Sequence, residues 1–405
     1  MIKKNLLLKN NIKKNYFKKS SFNSLSKEFN KTITNIKKEI NDNRSVLNVL
    51  SKKYELNFKI KDLKKFRKFK SYAIIGMGGS ILGSMAIHNF LEKNIKKKIY
   101  FFDDLNEEKL SKFKKNENLK KVLFLVVSKS GNTIETLSNT FALKILKRNA
   151  KNIIVISEKG NNTLFSLSKK LNLFYIEHNK YVGGRYSVLS ETGIIPAYLM
   201  GINISKFRSK ILNFLISSEK SFLKDSSLIL SELLLSKKLN NLILLNYSPQ
   251  LEQFLFWCQQ LIAESLGKKG KGFLPLISNV PKDHHSLLQL YLDGPKDKLF
   301  YIFSCEGGSK NKISVQKGFK ISNLLDKKKL SSIKKAQKEA LIKTFIKNKI
   351  PYREFKIKKI NEEVLGVLFS YFMLETVIVA RLAKINPYDQ PAVEQVKLFT
   401  KNFLS

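Results

Sequence analysis

Several short stretches of the sequence gather residue types that handle anions and protons. In "VVSKSGNTIET", residues 126–136, three hydroxyls (Ser128, Ser130, Thr133) and one ammonium (Lys129) crowd together directly after the apolar run 122–127. A simple turn needs only Gly131 and Asn132. Donors collected where a strand gives way to a helix suit a phosphate, although a hydroxyl-rich helix cap makes the same pattern. A second strand-to-helix turn, "IIGMGGSILG" at 74–83, holds Gly76, Gly78, Gly79 and Ser80. Its glycines let the backbone approach an anion closely, and Ser80 can cap the helix or donate to a ligand. The turn does not have the full dinucleotide spacing, and a tight strand–helix connection also explains it. Two such turns in one sheet favour an anion site.

Other groups suited to proton transfer lie downstream. "VGGRYS" places Arg185 behind two glycines, and "AESLGKKGKG" places Glu264 near the end of an apolar helix. "DHHSLLQ" holds His284 and His285, two of only four histidines, and "NPYDQPAVEQVK" carries Gln390 and Lys397. Each alone has a plainer explanation. Arg185 can pair with a carboxylate, Glu264 can sit in solvent, either histidine can cap a helix, and Lys397 is one lysine among dozens.

Such residues need strand ends and helix starts to aim them. Apolar strand candidates fall at 73–75, 99–102, 122–127, 153–156 and 174–176, with helical patterns at 81–91, 133–146 and 164–171. This alternation predicts a parallel sheet covered on both faces. A second alternating region follows. Helical patterns at 204–216 and 223–235 lead to a strand at 242–245, a helix at 250–266 and strands at 273–277, 299–303 and 352–357. The lysine-rich stretch 326–339 opens a solvated helix. The chain closes with an apolar helix over 361–385, a break at "NPYDQP" and a last helix from Ala392. The expected fold is α/β: two tandem doubly wound parallel-sheet domains with helical amino- and carboxy-terminal segments. The divisions fall at 1–65, 66–215, 216–360 and 361–405, with helices packed outside the larger body over 1–65. Ligands of such sheets sit beyond the carboxyl ends of the strands, which is where the hydroxyl stretch lies.

A length of 405 residues exceeds one ordinary core, so two or more domains are expected. The formal charge of +43 suggests polyanion binding, yet only seven of the 75 basic residues are arginine. Nucleic-acid readers rely on arginine for bidentate and stacking contacts. Here lysine is scattered together with Asn and Ile, which reads as a compositional bias, with no specific nucleic-acid partner. A diffuse positive field still steers small anions inward. Cys258 and Cys305 make no disulfide framework or metal-ligand spacing and point to a reducing, cytoplasmic compartment. The apolar run at 6–8 is too short for a signal peptide. Residues 364–383 are long enough to span a membrane, but Glu375 and Arg381 interrupt them, so a buried helix is expected and no membrane partner.

Taken together and in order, the segments over residues 70–400 resemble the glucose-6-phosphate isomerase family, which has two sugar-isomerase (SIS-type) domains. The family's serine–lysine–threonine phosphate loop corresponds to Ser128, Lys129 and Ser130, its later threonine to Thr133, and its glycine–glycine–serine turn to Gly78, Gly79 and Ser80. Its Gly-Gly-Arg arginine falls on Arg185 and the base of its Glu-Ser-x-Gly-Lys motif on Glu264. Its catalytic histidine, followed by a small residue and a glutamine, is matched better by His285, with Ser286 and Gln289, than by His284. Its terminal glutamine and lysine fall on Gln390 and Lys397. The chain is shorter than most members, so surface helices or arms are expected to be missing. Gly131 and Asn132 stand where an aromatic–threonine pair is usual, a form shared with some dual glucose/mannose-phosphate isomerases. Gln260, one helical turn before Glu264, is instead the residue of conventional members.

The resemblance implies an aldose–ketose isomerase that needs no cofactor or metal. Moving a proton between C1 and C2 calls for a carboxylate base, Glu264. The enediolate calls for a fixed cation, Arg185. Ring opening suits His285 helped by Lys397, while Ser80, Ser128, Ser130 and Thr133 hold the phosphate and fix the sugar. Lys129 supplies backbone N–H and field more than a direct contact. The resemblance further implies a homodimer in which His285 reaches the neighbouring subunit's site, and the apolar helix 364–383 is covered partly by the partner. A sugar-phosphate-binding regulator would keep the hydroxyl loop but need not keep Glu264, His285 and Lys397, all of which are present.

Overall fold

The computed structural model describes residues 2–12, 16, 19–308, 311–316, 318, 319 and 321–405. Its strands in chain order are β1 (Leu6–Asn11), β2 (Ser71–Ile75), β3 (Lys98–Phe102), β4 (Val122–Val127), β5 (Ile153–Ser157), β6 (Phe174–Glu177), β7 (Asn241–Asn246), β8 (Leu274–Asn279), β9 (Lys298–Cys305) and β10 (Tyr352–Ile357). The first sheet runs β3-β2-β4-β5-β6, all parallel. The second runs β8-β7-β9-β10-β1, parallel except for β1, which pairs antiparallel with β10. Among their parallel strands, both sheets place the second at an edge beside the first. The order therefore reverses between β2 and β4, and again between β7 and β9.

The alternating faces of the strands build the core. In β4, Leu123, Leu125 and Val127 face a large central cluster, while Val122, Phe124 and Val126 face a separate outer one. In β7, Leu242 and Leu244 join the same central cluster, and Ile243 and Leu245 face another outer one. A period of two thus divides each sheet between two packed layers. The central layer holds the helices Leu82–Leu91, Lys220–Ser236, Glu252–Leu266 and Glu362–Leu382.

The apolar helix Glu362–Leu382 is almost wholly buried by its own chain, against Lys220–Ser236, Glu252–Leu266 and Lys19–Ile40. The cover expected from a partner is therefore not needed for this helix. Its charges are matched internally. Glu375 Oε1 accepts from Arg353 Nη1 at 2.6 Å and from Tyr371 at 2.7 Å, and Arg381 pairs with Glu39 at 2.6 Å. A buried charge persists only with such partners.

Three local differences from the sequence reading stand out. Residues 1–65, expected to be helical, also contain β1, whose mixed composition "LLLKNN" hides a strand completed by the open edge of β10. The pattern over 204–216 divides into two short helices, Ile204–Arg208 and Asn213–Ile216. The helix expected to reach residue 146 is Ile134–Ala142, and Lys144 just beyond it takes a φ of 53°.

Candidate active site

The two anion-type turns lie side by side at the carboxyl ends of β2 and β4, the reversal point of the first sheet. A Cβ on Gly76 would come within 2.9 Å of the Val127 carbonyl, so glycine permits this approach. A Cβ on Gly79 would fall 2.1 Å from the Gly184 carbonyl carbon, so the glycine turn also seats the segment carrying Arg185. Ser80 ends the single turn Gly78–Ser80 that opens the helix Leu82–Leu91.

In the hydroxyl loop, Ser128 Oγ lies 2.8 Å from Thr133 Oγ1 and accepts the Gly131 N–H at 3.2 Å. Ser130 Oγ accepts the Asn132 N–H at 3.3 Å. Gly131 has φ of +66°, and a Cβ there would collide with Asn162 Oδ1 at 1.8 Å. The loop is therefore held in a hydroxyl-lined turn that begins the helix Ile134–Ala142. The Lys129 ammonium donates to the Lys180 carbonyl at 2.9 Å and pairs with Glu158 at 3.4 Å. What Lys129 presents to the loop is its backbone and its charge.

The densest polar cluster is centred on Glu264. Gln260, one turn earlier on Glu252–Leu266, donates Nε2–H to Glu264 Oε1 at 2.8 Å. Arg185 Nη1 donates to Oε2 at 3.1 Å, and Gln390 Nε2 donates to the same oxygen. The Arg185 side chain is 1% exposed and that of Glu264 28%, so the cation is fixed inside while the carboxylate remains reachable. Gly78 lies against the Gln260 amide, which joins the glycine turn to the base helix. Arg185, Glu264, Gln260, Gln390 and Gly79 are thus brought together from both sheets and from the carboxy-terminal linker.

His285 and Lys397 lie apart from this cluster. His285 is exposed at the end of the turn Lys282–His285, after β8. Its neighbour His284 is engaged with the Tyr247 hydroxyl at 3.0 Å. Lys397 is exposed on the helix Glu394–Leu404 and pairs with Glu394 at 2.7 Å. The sequence reading passed over Ser265, Tyr186 and Lys268, which also contribute. Ser265 Oγ accepts from Arg185 Nε at 2.9 Å. Lys268 Nζ holds the linker through the Asn386 carbonyl at 2.6 Å and Asp389 at 2.7 Å, a contact that lowers the Asp389 pKa. The signal available in sequence was adjacency: Ser265 follows Glu264, and Tyr186 follows Arg185.

The sequence pattern described as phosphoglucose isomerase matches residues 35–272, more than half of the chain. A probable glucose-6-phosphate isomerase of Methanococcus maripaludis is 33% identical over 92% of this chain and 87% of its own length. A glucose-6-phosphate isomerase of Methanocaldococcus jannaschii is 32% identical over 83% and 85%. The chain belongs to the phosphoglucose isomerase family. Among solved structures, a hypothetical protein of Thermus thermophilus superposes with a TM-score of 0.83 at 24% identity, covering 98% of this chain and 100% of its own. At that identity the likeness concerns the fold alone, which the two chains share over nearly their whole length.

Proposed function

We propose that the protein interconverts glucose 6-phosphate and fructose 6-phosphate. The observation that carries this reading is a reachable carboxylate, Glu264, fixed by the buried Arg185 within a family of phosphoglucose isomerases. Glu264 moves the proton between C1 and C2, and Arg185 faces the charge that develops on the enediolate oxygens. Gly79, Ser80, Ser128, Ser130 and Thr133 hold the phosphate, assisted by Lys129, while Gln260 and Gln390 orient the carboxylate. His285 and Lys397 open the sugar ring.

The site is shared in a homodimer. Glu264 lies where its helix returns toward the start of β8, whereas His285 follows the far end of that strand. Six extended residues span about 20 Å, so the histidine that serves Glu264 comes from a second copy. Exposed apolar side chains support such a contact: Leu274 and Leu276 on edge strand β8, Phe256 on the base helix, and Val396, Phe399 and Phe403 on the last helix.

A coupled assay with fructose 6-phosphate tests the activity, with mannose 6-phosphate as the specificity control. The shared site is tested by mixing inactive His285→Ala and Glu264→Gln subunits. Recovered activity is expected, because one of the hybrid's two sites has both groups intact. Hybrids that demonstrably form and stay inactive would overturn the shared site.

A further inference from the structure

The guanidinium of Arg185 is held at every edge. Nε donates to Ser265 Oγ at 2.9 Å, Nη1 to Glu264 Oε2 at 3.1 Å, and Nη2 to the carbonyls of Pro387 at 2.5 Å and Asp389 at 3.2 Å. Among the described residues, four of the five N–H groups are therefore engaged, and one Nη1 N–H beside Glu264 remains for the substrate.

Beyond Nε, Ser265 Oγ lies 2.9 Å from the Tyr186 oxygen, a pair in which either hydroxyl can donate, and the Pro387 carbonyl is within reach of the Tyr186 hydroxyl at 3.2 Å. Among the described contacts, one arrangement gives both hydroxyl hydrogens an acceptor, with the Tyr186 hydrogen on Pro387. Because the tyrosine hydrogen is engaged, the Ser265 hydroxyl donates to Tyr186 while accepting from Arg185. The order is Arg185 Nε–H to Ser265, Ser265 O–H to Tyr186, and Tyr186 O–H to Pro387. Burial raises the Tyr186 pKa, so the group stays a hydroxyl. Both ends of this relay meet the same backbone, since Pro387 also accepts from Arg185 Nη2. A closed ring therefore joins the Arg185 turn, the base helix and the linker that delivers Gln390 to Glu264.

We propose that Ser265 and Tyr186 are positioning residues, a hydroxyl relay that sets the plane of the Arg185 guanidinium and thereby aims its remaining N–H at the enediolate oxygen. The proposal rests on the isomerase reading and deepens it. Neither hydroxyl touches the sugar. Their effect is carried through Arg185, so it is felt where charge develops and little in the bound substrate, whose C1 and C2 oxygens are uncharged.

The test uses the full-length protein and Tyr186→Phe, which keeps the ring and its packing, together with Ser265→Ala. Each variant is expected to lose about tenfold in kcat with KM within about twofold. Affinity for an aldonate phosphate, whose carboxylate imitates the enediolate charge, should fall about tenfold. Affinity for the polyol phosphate, which carries no charge at C1 or C2, should stay within about twofold. The double variant should lose little more than either single one, because each breaks the same relay. Unchanged kcat in both single variants, or equal losses for the aldonate phosphate and the polyol phosphate, would overturn the proposal, as would fully additive losses. An inactive wild type would instead overturn the isomerase reading, so the two failures are distinguishable.

Discussion

At the reversal point of the first sheet, β2 runs into a glycine turn and β4 into a loop of hydroxyls beside Lys129. At the corresponding point of the second sheet, β7 runs into Asn246, Tyr247, Ser248 and Pro249, and β9 into Glu306. There the polar groups bind one another: Asn246 Oδ1 accepts the Ser248 N–H at 3.0 Å, and Ser248 Oγ accepts the Cys305 N–H at 2.7 Å. Glu306 adds a negative charge where the first sheet has a positive one, and it pairs with Lys356 at 2.6 Å. Side chains bond to one another in both turns, as Ser128 does to Thr133 in the first, so one strand order gives two turns that differ in charge and in their number of hydroxyls.

The second sheet reaches the proposed site from its other edge. The helix Glu252–Leu266 leaves β7 at the carboxyl end and carries Glu264 back toward the start of β8. A helix of this length spans roughly 20 Å, enough to cross the sheet. The carboxyl edge of one unit therefore meets the amino edge of the other, and Glu264 faces Arg185 and the glycine turn. A strand order indicates where a ligand can bind, while the residues at the strand ends decide whether it does.

The contrast can be broken by making like changes in both turns. Removing the Ser128 and Thr133 hydroxyls together, as Ala and Val, should raise KM by about a hundredfold or more. This follows from about 1.5–3 kcal/mol for each hydrogen bond to a charged group, and steady-state kinetics with fructose 6-phosphate checks it. Ser248→Ala should leave KM within about twofold. It strands the Cys305 N–H, so it should lower stability by about 1–3 kcal/mol in urea titration. A large KM effect from Ser248→Ala would show that the second turn binds substrate as well.

A smaller effect distinguishes the far edges of the sheets. His178 follows β6 in the first, and the equivalent place in the second is taken by the antiparallel β1. Desolvation, with Lys129 nearby, lowers the pKa of buried His178 to about 4, against the upward pull of the Asn179 carbonyl. The unfolded chain protonates this group near 6.5 and the folded chain only near 4. Below pH 6.5 the unfolded state therefore binds more protons, and stability falls as pH drops through that window. His178→Gln should flatten this slope in unfolding midpoints measured between pH 7 and 4.5. An unchanged slope would count against a buried neutral imidazole.

The parts legible in sequence are those whose meaning is local. β4 occupies the residues that its apolar run marked, because a buried parallel strand is apolar on both faces. β1 was hidden because its reason for being a strand lies some 340 residues away in β10. Arg185, Glu264 and Gln390 were legible as types, and the fold brings them together. Ser265 and Tyr186 signal themselves only by adjacency to Glu264 and Arg185, since their contacts depend on the helical phase and linker path that bring Ser265 to Arg185 Nε and Tyr186 to Ser265. His285 and Lys397 lie outside the Glu264 cluster, and the proposed shared site calls on a second copy, which a single sequence cannot display.

The central claim is that Glu264, reachable beside a buried arginine, moves the proton. Glucose 6-phosphate and the protein should be incubated in D2O, with ring-proton signals followed by NMR for the wild type and for Glu264→Gln. The account predicts interconversion with solvent deuterium entering at C1 and C2 for the wild type. For Glu264→Gln it predicts neither process above about a thousandth of the wild-type rate, with polyol-phosphate binding retained. Interconversion or deuterium entry within tenfold of wild type in Glu264→Gln would contradict it.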